Sequence, residues 1–211
     1  MTTLGVLVSG SGSNLQAILD AVASGKLHAR IGVVVSNVAT AKALERAAKA
    51  GVKTAVVAHK AHPSREAFDA EVVEILRREG VDVVVLAGFM RIVTPVLLDA
   101  FPHRVVNIHP ALLPAFPGVH AQRQAVAYGV RVSGCTVHFV DTGMDTGPII
   151  AQATVPVLDD DTEETLRDRI LEQEHALLPD VLQWIVEGRV DVVPPAAAGG
   201  RPRVRIKPRA A

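Results

Sequence analysis

The feature that most constrains the fold is an apolar run from Val81 to Ala87, broken only by Asp82. A run of this length, following a helical segment that stops at Gly80, is typical of a strand buried on both faces. Such strands belong mainly to parallel sheets, because the helices that connect parallel strands cover both faces of the sheet. The run therefore predicts a central strand of an α/β fold.

The rest of the first half of the chain alternates between strands and helices. The predicted strands span residues 4–8, 31–35, 52–58, 81–87 and 105–109. Helical patterns start after the glycine-rich residues 9–14 and cover residues 39–50, 64–78 and 95–100. Strands that alternate with helices form parallel sheets with right-handed crossovers. We therefore expect a doubly wound, mostly parallel, Rossmann-like sheet.

The pattern changes in the second half of the chain. Residues 133–140 and 149–157 flank a turn-rich loop and predict an antiparallel extension, with a helix over residues 122–128 before it. Thr162 is a suitable N-cap for a long helix that reaches Val186. We expect one domain over residues 1–190 and a tail over residues 191–211. From Pro194 onward the tail is expected to be poorly ordered, apart from a short strand at residues 204–206.

Composition argues against several classes of protein. Lys and Arg together number 22, as do Asp and Glu, so no net charge steers the chain to nucleic acid or to an anionic membrane. Aromatic residues make up only 3%, which disfavours a base-stacking surface. No run is long enough to span a membrane, and the start of the chain carries no signal pattern. The single cysteine, Cys135, favours a reducing compartment, and a cytoplasmic protein is expected.

Asn107 and His109 occupy the end of the last predicted strand of the first half. They are two residues apart, so both side chains must emerge on one face of the strand, which Pro110 then ends. Ligands of open α/β sheets bind at the carboxyl ends of the strands. An amide can donate to a developing oxyanion, and an imidazole can transfer protons near neutral pH. The pair is therefore a candidate catalytic site, although a polar strand end without catalysis fits the spacing as well.

The loop from Gly10 to Asn14 lies between a strand and a helix, an arrangement that favours anion binding. The loop lacks the third glycine of a dinucleotide fingerprint, because Leu15 stands there, and it also lacks the Gly-Lys-Ser/Thr of a P-loop. A single small phosphate fits it better than a pyrophosphate. A tight turn without a ligand remains the alternative.

The loop over residues 141–148 contains Asp-Thr-Gly twice, at Asp141 and at Asp145. Aspartic proteases use this tripeptide, but their two carboxylates come from separate lobes, so we reject that interpretation. One carboxylate could instead orient and polarise His109. For Asp141 a turn-closing role is favoured. For Asp145 the residues alone leave both roles open.

Taken together, these motifs closely resemble those of the glycinamide ribonucleotide transformylase family of purine biosynthesis. They occur in family order and cover nearly the whole chain up to about Val190. The matching segments are residues 9–16, 64–66, 87–92, 107–114, 145–149 and 173–175. Two positions depart from the pattern, because many relatives carry a basic residue at Ala115 and often a histidine at Gln122.

The resemblance implies a formyltransferase fold and a catalytic trio of Asn107, His109 and Asp145. It also implies transfer of a formyl group from 10-formyltetrahydrofolate, as cosubstrate, to the amine of 5-phosphoribosylglycinamide, without a metal. The substrate phosphate would lie on the backbone of Gly12, Ser13 and Asn14, and Glu174 would hold the ribose hydroxyls. The folate-binding residues implied by the family pattern are Arg65, Met90, Arg91, Ile92, Val93 and Asn107.

Three other functions compete with this hypothesis. A formyltetrahydrofolate deformylase would use the same trio with water as acceptor, but we expect such relatives to carry an extra N-terminal domain. A methionyl-tRNA formyltransferase would need an added RNA-binding domain. A non-catalytic folate- or phosphoribosyl-binding module would bind without turnover. The expected partners are small-molecule substrates, without nucleic acid or membrane, in a monomer or homodimer.

Overall fold

The computed structural model describes residues 1–195 and 199–209, which form two compact units, Met1–Asn107 and Ile108–Ala211. The sequence-based boundary at residue 190 stays a prediction. The part of the predicted tail at residues 196–198 and 210–211 lies outside the described residues. The strand predicted at residues 204–206 is confirmed, with one more residue at its start.

The first unit is built on five parallel strands. In chain order they are β1 (Thr2–Val8), β2 (Ala29–Ser36), β3 (Thr54–Val56), β4 (Val83–Leu86) and β5 (Val105–His109), whose last two residues belong to the second unit. Their spatial order is β3-β2-β1-β4-β5, and each neighbouring pair is parallel. The chain therefore winds outward in both directions from β1 and β4. The doubly wound, mostly parallel sheet predicted from the sequence is confirmed.

The point between β1 and β4 is the place where ligands bind in folds of this class, because the crossovers diverge there and leave a crevice. The glycine-rich residues follow β1 directly, and the segment that begins at Gly88 follows β4. The carboxyl ends of parallel neighbours meet at one sheet edge. Both predicted binding segments of the first unit therefore share this edge.

Four helices connect the parallel strands: α1 (Ser13–Ala23), α2 (Lys42–Lys49), α3 (Arg65–Arg78) and α4 (Pro95–Ala100), with a short 3-10 helix at His59–Ala61. Helix α1 packs with α2, and α3 packs with α4. The Ser64 hydroxyl caps α3 by accepting from the N–H of Ala67 at 3.1 Å. Helix α2 starts only at Lys42, later than predicted, because Ala41 is still extended.

The second unit contains α5 (Ala121–Tyr128), β6 (Val132–Phe139), β7 (Ile149–Pro156), α6 (Glu163–Val186), β8 (Val190–Val193) and β9 (Arg203–Ile206). Strands β6 and β7 pair antiparallel, as predicted, and β8 pairs antiparallel with β9. Thr162 caps α6, since its hydroxyl accepts from the N–H of Thr165. The helices and the β6–β7 pair enclose an apolar core formed by Ala125, Cys135, Val155, Val157, Leu166 and Ile170.

Candidate active site

Strand β5 carries two of the three predicted catalytic residues. It runs from Val105 to His109, and the chain leaves it at Pro110. Alternation along the strand places Asn107 and His109 on the same face, as the sequence predicts. Asn107 is half-buried, whereas the whole of His109 is only 4% exposed. Strand geometry thus places an amide beside a shielded imidazole.

Both ring nitrogens of His109 face oxygen atoms. Nδ1 lies 3.4 Å from Asp145 Oδ2, within ion-pair range but long for a hydrogen bond. Nε2 lies 2.9 Å from the backbone carbonyl oxygen of Phe116. A carbonyl and a carboxylate only accept, so the ring can donate to both only when both nitrogens carry protons. The surroundings therefore suit the imidazolium form.

The backbone of its own loop positions Asp145. The residue adopts a left-handed conformation, with φ 53°, which is uncommon outside glycine. One carboxylate oxygen, Oδ2, accepts a 2.7 Å hydrogen bond from the N–H of Gly118, and the same oxygen faces His109. Asp145 thus faces the imidazole within the second unit, and its role in orienting His109 stays a prediction.

Asp141 has the role in the loop that the sequence favours. Its Oδ1 accepts from the N–H of Gly143 at 3.0 Å and from the Thr146 hydroxyl at 2.7 Å. Gly147 is required nearby because a Cβ there would overlap the carbonyl oxygen of Phe139. The first acid of the repeated tripeptide therefore closes the loop, while the second faces the histidine.

His138, on β6, is a neighbour of Asp145 that the sequence does not single out as a site residue. It is 2% exposed; its Nε2 lies 3.8 Å from Asp145 Oδ1, and its Nδ1 lies 2.9 Å from the carbonyl oxygen of Phe139. Burial lowers its pKa from the ordinary value, although the Phe139 carbonyl and the Asp145 charge oppose this shift. The signal that could have identified His138 is its spacing from Thr136. The two polar residues are two positions apart on β6, so both side chains lie on the same face of the strand.

Thr136 holds the segment that follows His109. Its hydroxyl donates to the carbonyl of Ala111 at 2.7 Å and accepts from the N–H of Leu113 at 3.0 Å. Gln152 on β7 donates to both the Thr136 hydroxyl and the Leu113 carbonyl, each at 3.0 Å. Strands β6 and β7 therefore secure the segment that leads to Phe116 and Gly118.

The predicted phosphate loop lies in the first unit, at the start of α1. Gly12 is left-handed, with φ 72° and ψ 30°, and Ser13 and Asn14 begin the helix. Gly12 has no side chain to cap the helix, and the first N–H groups of an α-helix have no acceptor within the helix itself. The geometry suits an oxyanion, as the strand–loop–helix pattern predicts.

The predicted folate segment, Met90 to Val93, is tied at both ends. The Met90 N–H donates to the Ser9 hydroxyl at 2.9 Å, which links the segment to the end of β1. At the other end, Asp69 accepts from the N–H and the hydroxyl of Thr94, at 2.6 and 2.7 Å. The four residues themselves form no regular element, so their backbone groups take no part in a helix or a sheet.

Aromatic rings support the same segment. The guanidinium of Arg91 lies 4.7 Å above the ring of Phe68, which stacks on Phe89 with the centroids 6.4 Å apart. Arg65 is the first residue of α3 and is exposed. Arg91 therefore lies against α3, the helix that begins at Arg65.

Glu174 lies on α6 in the second unit and is 4% exposed. Its charge adds to burial in raising the pKa of Cys135 to about 12, with burial the larger cause. Cys135 is fully buried in the core, where it packs as a small apolar side chain and is shielded from reagents. The two positions that depart from the family pattern are an exposed Ala115 and a half-buried Gln122.

The described ranges contain no group of three or more His, Cys, Asp or Glu residues arranged to hold a metal ion. Within the same ranges, no helix is long and apolar enough to cross a membrane. The site described above offers an amide, an imidazole and a carboxylate, which can stabilise an oxyanion and exchange protons.

Comparison with known proteins gives concordant results. A family model described as Formyl transferase matches residues 3–182. The phosphoribosylglycinamide formyltransferase of Escherichia coli (strain K12) is 46% identical over 185 residues, which are 88% of this chain and 87% of that protein. A crystal structure of glycinamide ribonucleotide transformylase 1 from Symbiobacterium toebii has a TM-score of 0.93 and 54% identity, and the match covers 98% of this chain and 94% of that one.

Some relatives are much longer proteins. The trifunctional purine biosynthetic protein adenosine-3 of Drosophila melanogaster is 47% identical over 191 residues, which are 90% of this chain but only 14% of that protein. The chain therefore corresponds to one part of such proteins. Since the family model covers most of its length, and relatives of matching length exceed 45% identity, this chain belongs to the formyl transferase family.

Proposed function

We propose that this protein transfers the formyl group of 10-formyltetrahydrofolate to the primary amine of 5-phosphoribosylglycinamide in de novo purine biosynthesis. The products are the formylated amide and tetrahydrofolate. The observation that carries the proposal is the pairing of His109 with Asp145 at 3.4 Å, two residues after Asn107 on β5. The names of the relatives with matching length support the choice of substrates.

The reaction begins when the amine attacks the formyl carbon and forms a tetrahedral oxyanion. The Asn107 amide and a protonated His109 both donate to that oxygen. Removing one such donor typically costs about 100- to 1000-fold in rate. Asp145 orients the imidazole, because its carboxylate oxygen lies 3.4 Å from Nδ1.

Proton exchange completes the transfer. The folate nitrogen leaves after it gains a proton, and the attacking amine loses one, so the net reaction neither consumes nor releases a proton. His109 and Asp145 carry this exchange, since an imidazole titrates close to neutral pH. No metal is required for either step.

The proposed substrate contacts use backbone as well as side chains. The N–H groups of Gly12, Ser13 and Asn14 bind the phosphate at the start of α1. Glu174 accepts hydrogen bonds from the ribose hydroxyls. On the folate side, Arg91 and Arg65 face the glutamate carboxylates, for which an arginine fork is suited.

The remaining folate contacts belong to the backbone of Met90, Ile92 and Val93, which reads the edge of the pterin. This assignment is supported by the two hydrogen-bonded ends of the segment, at Ser9 and at Thr94. A segment held at both ends presents its N–H and C=O groups in a fixed pattern, as recognition of a flat heterocycle requires. Asn107 contacts the formyl group of the same ligand.

The test is to mix the purified protein with both substrates and to follow tetrahydrofolate release. Release that requires the amine supports transfer. Equal release without the amine would indicate hydrolysis and would contradict the proposal. Binding of both ligands without any release would indicate a non-catalytic module.

Variants in the repeated tripeptide test the catalytic assignment. Asp145→Asn should lower kcat by about 100-fold or more, because the imidazolium loses its counter-charge. Asp141→Asn is the matched control, since its carboxylate closes the same loop without facing His109, and its kcat should stay within about fivefold of wild type. His109→Ala and Asn107→Ala should each lose nearly all turnover while folding normally. Wild-type rates in either would refute the assignment.

A further inference from the structure

The loop after β1 is held by α2 at three consecutive residues. The N–H of Ala43 donates to the carbonyl of Gly10 at 3.1 Å. Nε of Arg46 donates to the carbonyl of Ser11 at 2.9 Å. Gly12 lies so close to α2 that an added Cβ would be 2.6 Å from Cβ of Ala43. The whole turn into α1 is therefore shaped by the first part of α2.

These contacts determine where the N–H groups of the loop point. In a trans peptide the C=O and the N–H bonds are directed oppositely. Because α2 draws the carbonyls of Gly10 and Ser11 toward itself, the N–H groups of Ser11 and Gly12 turn away from α2. The N–H groups of the first turn of α1, which lack intrahelical acceptors, follow them directly in the chain. The loop thus gathers donors into a form that suits a phosphate.

Arg46 makes a second contact through another nitrogen of its guanidinium group, which a cation with a single nitrogen, such as lysine, lacks. Its Nη1 donates to Oε1 of Gln16 at 3.1 Å, and Gln16 donates to Asp20 at 2.8 Å. The guanidinium therefore joins the loop to the second turn of α1 through two donors in a fixed fork. A charged donor on the Ser11 carbonyl also polarises that peptide, which makes the N–H of Gly12 a stronger donor.

The same face of α2 is rich in positive charge. Lys42, Arg46 and Lys49 line a groove of about 460 Å³ together with Gln16, Glu45 and Ala50. The two lysines are exposed, and Arg46 is half-buried. Three cations against one carboxylate create a positive field beside the loop, which raises the local concentration of an anionic substrate. Within the part of the chain that the structure describes, Arg46 is the one of these three cations that donates a hydrogen bond to the loop.

We propose that Arg46 is a positioning residue for the phosphate of the substrate, acting through the carbonyl of Ser11. The proposal rests on the proposed function, because it is the proposed substrate that carries the phosphate. Arg46 holds the loop ready for the phosphate and does not touch the reacting formyl carbon. Its effect therefore belongs to phosphate affinity and not to the rate of formyl transfer.

The test compares Arg46→Gln, Arg46→Lys and Lys49→Gln by steady-state kinetics and by calorimetric titration with inorganic phosphate. Arg46→Gln should raise the KM for 5-phosphoribosylglycinamide and the Kd of phosphate in parallel, by about tenfold, as expected for a lost charged hydrogen bond. Its kcat and its KM for the formyl folate should change less than about twofold, because the folate segment keeps its own ties.

The other two variants separate the hydrogen bond from the charge. Arg46→Lys keeps the charge but loses the fork, and should weaken phosphate binding by about threefold. Lys49→Gln removes the same charge from the same helix without a loop contact. Near physiological salt its loss should stay below about twofold, because exposed charges are screened.

Several outcomes would overturn the role of Arg46. Equal losses in Arg46→Gln and Lys49→Gln would mean that charge alone matters. If Arg46→Gln lowers kcat but leaves the phosphate affinity unchanged, Arg46 does not act through phosphate binding. If the wild-type protein binds no phosphate, there is no phosphate site for Arg46 to position. If Arg46→Gln does not fold, Arg46→Lys must still bind phosphate more weakly than Lys49→Gln. The titration needs no turnover, so a wild-type protein without formyl transfer overturns the proposed function alone.

Discussion

Thr136 offers a sharp test of how the strands behind the site hold the catalytic loop. Its side chain is fully buried, and its hydroxyl bonds the Ala111 carbonyl, the Leu113 N–H and the Gln152 amide. Valine has nearly the same shape but no hydroxyl. Thr136→Val therefore leaves the Ala111 carbonyl and the Leu113 N–H without this partner in the protein interior, while Gln152 keeps the Leu113 carbonyl.

The magnitude follows from those two groups. A buried backbone group left without its hydrogen bond costs about 1–3 kcal/mol, so the pair costs about 4 kcal/mol. The added methyl group in an apolar environment offsets about 1 kcal/mol. The net loss in the free energy of unfolding is then about 3 kcal/mol. For a chain of this size each kcal/mol lowers Tm by about 2–4 °C, which gives a fall of about 6–12 °C.

The assay is urea and thermal unfolding of Thr136→Val beside Thr136→Ser, together with kcat for formyl transfer. The serine variant keeps the hydroxyl and loses one methyl group, so it should cost only about 1 kcal/mol. The valine variant should also lose about tenfold in kcat, because the freed segment carries the Phe116 carbonyl and the Gly118 N–H. Equal stability of the two variants would refute the reasoning.

Three further predictions concern neighbouring groups. Burial lowers the pKa of His138, so near the ordinary value of 6.5 only the unfolded chain gains a proton at this residue. The free energy of unfolding of the wild type should therefore fall as the pH drops below 6.5. In urea titrations, His138→Gln should reduce the pH dependence of this free energy by up to about 1.4 kcal/mol per pH unit. Asp69→Ala frees Thr94 and should raise the KM for the formyl folate by about tenfold with kcat nearly unchanged. The Cys135 thiol, whose pKa burial raises to about 12, should react with a thiol reagent only after denaturation.

Much of the fold is predictable from the sequence because local signals and burial agree. Ser64 and Thr162 mark helix starts, and both hydroxyls act as caps in the structure. The predictions fail at the margins. The strand expected over residues 52–58 is reduced to Thr54–Val56, since β3 lies at the end of the strand order and pairs only with β2. An edge strand has half the ladder hydrogen bonds of a central one, so it is shorter than its apolar pattern.

In the candidate site, too, some features can be predicted from local sequence patterns, whereas others depend on contacts between distant parts of the chain. The shared face of Asn107 and His109 follows from strand periodicity alone. The meeting of Asp145 with His109 depends on how a loop 36 positions later folds back, which no local pattern specifies. His138 was missed for the same reason. Alternation could place it beside Thr136 on one strand face, but it could not identify the loop that covers that face.

Backbone strain in the second unit is concentrated around the histidine. Phe116 and Asp145 both adopt left-handed conformations, at φ 52° and φ 53°, which cost about 1–2 kcal/mol each outside glycine. Such conformations persist only where the surroundings enforce them. At Phe116 the carbonyl accepts from Nε2 of His109, and at Asp145 the carboxylate accepts from the N–H of Gly118. Strain and hydrogen bonds are therefore coupled at Phe116 and at Asp145, which lie in two different loops of the second unit.

That coupling bears directly on catalysis. The Phe116 carbonyl occupies the nitrogen of His109 that does not face Asp145, so a formyl oxygen can reach Nε2 only by displacing it. Displacement costs one hydrogen bond, about 1 kcal/mol net. We propose that relief of the left-handed conformation at Phe116 offsets part of this cost. Under the proposed function, Nε2 of His109 would then reach the formyl oxygen at a small net cost.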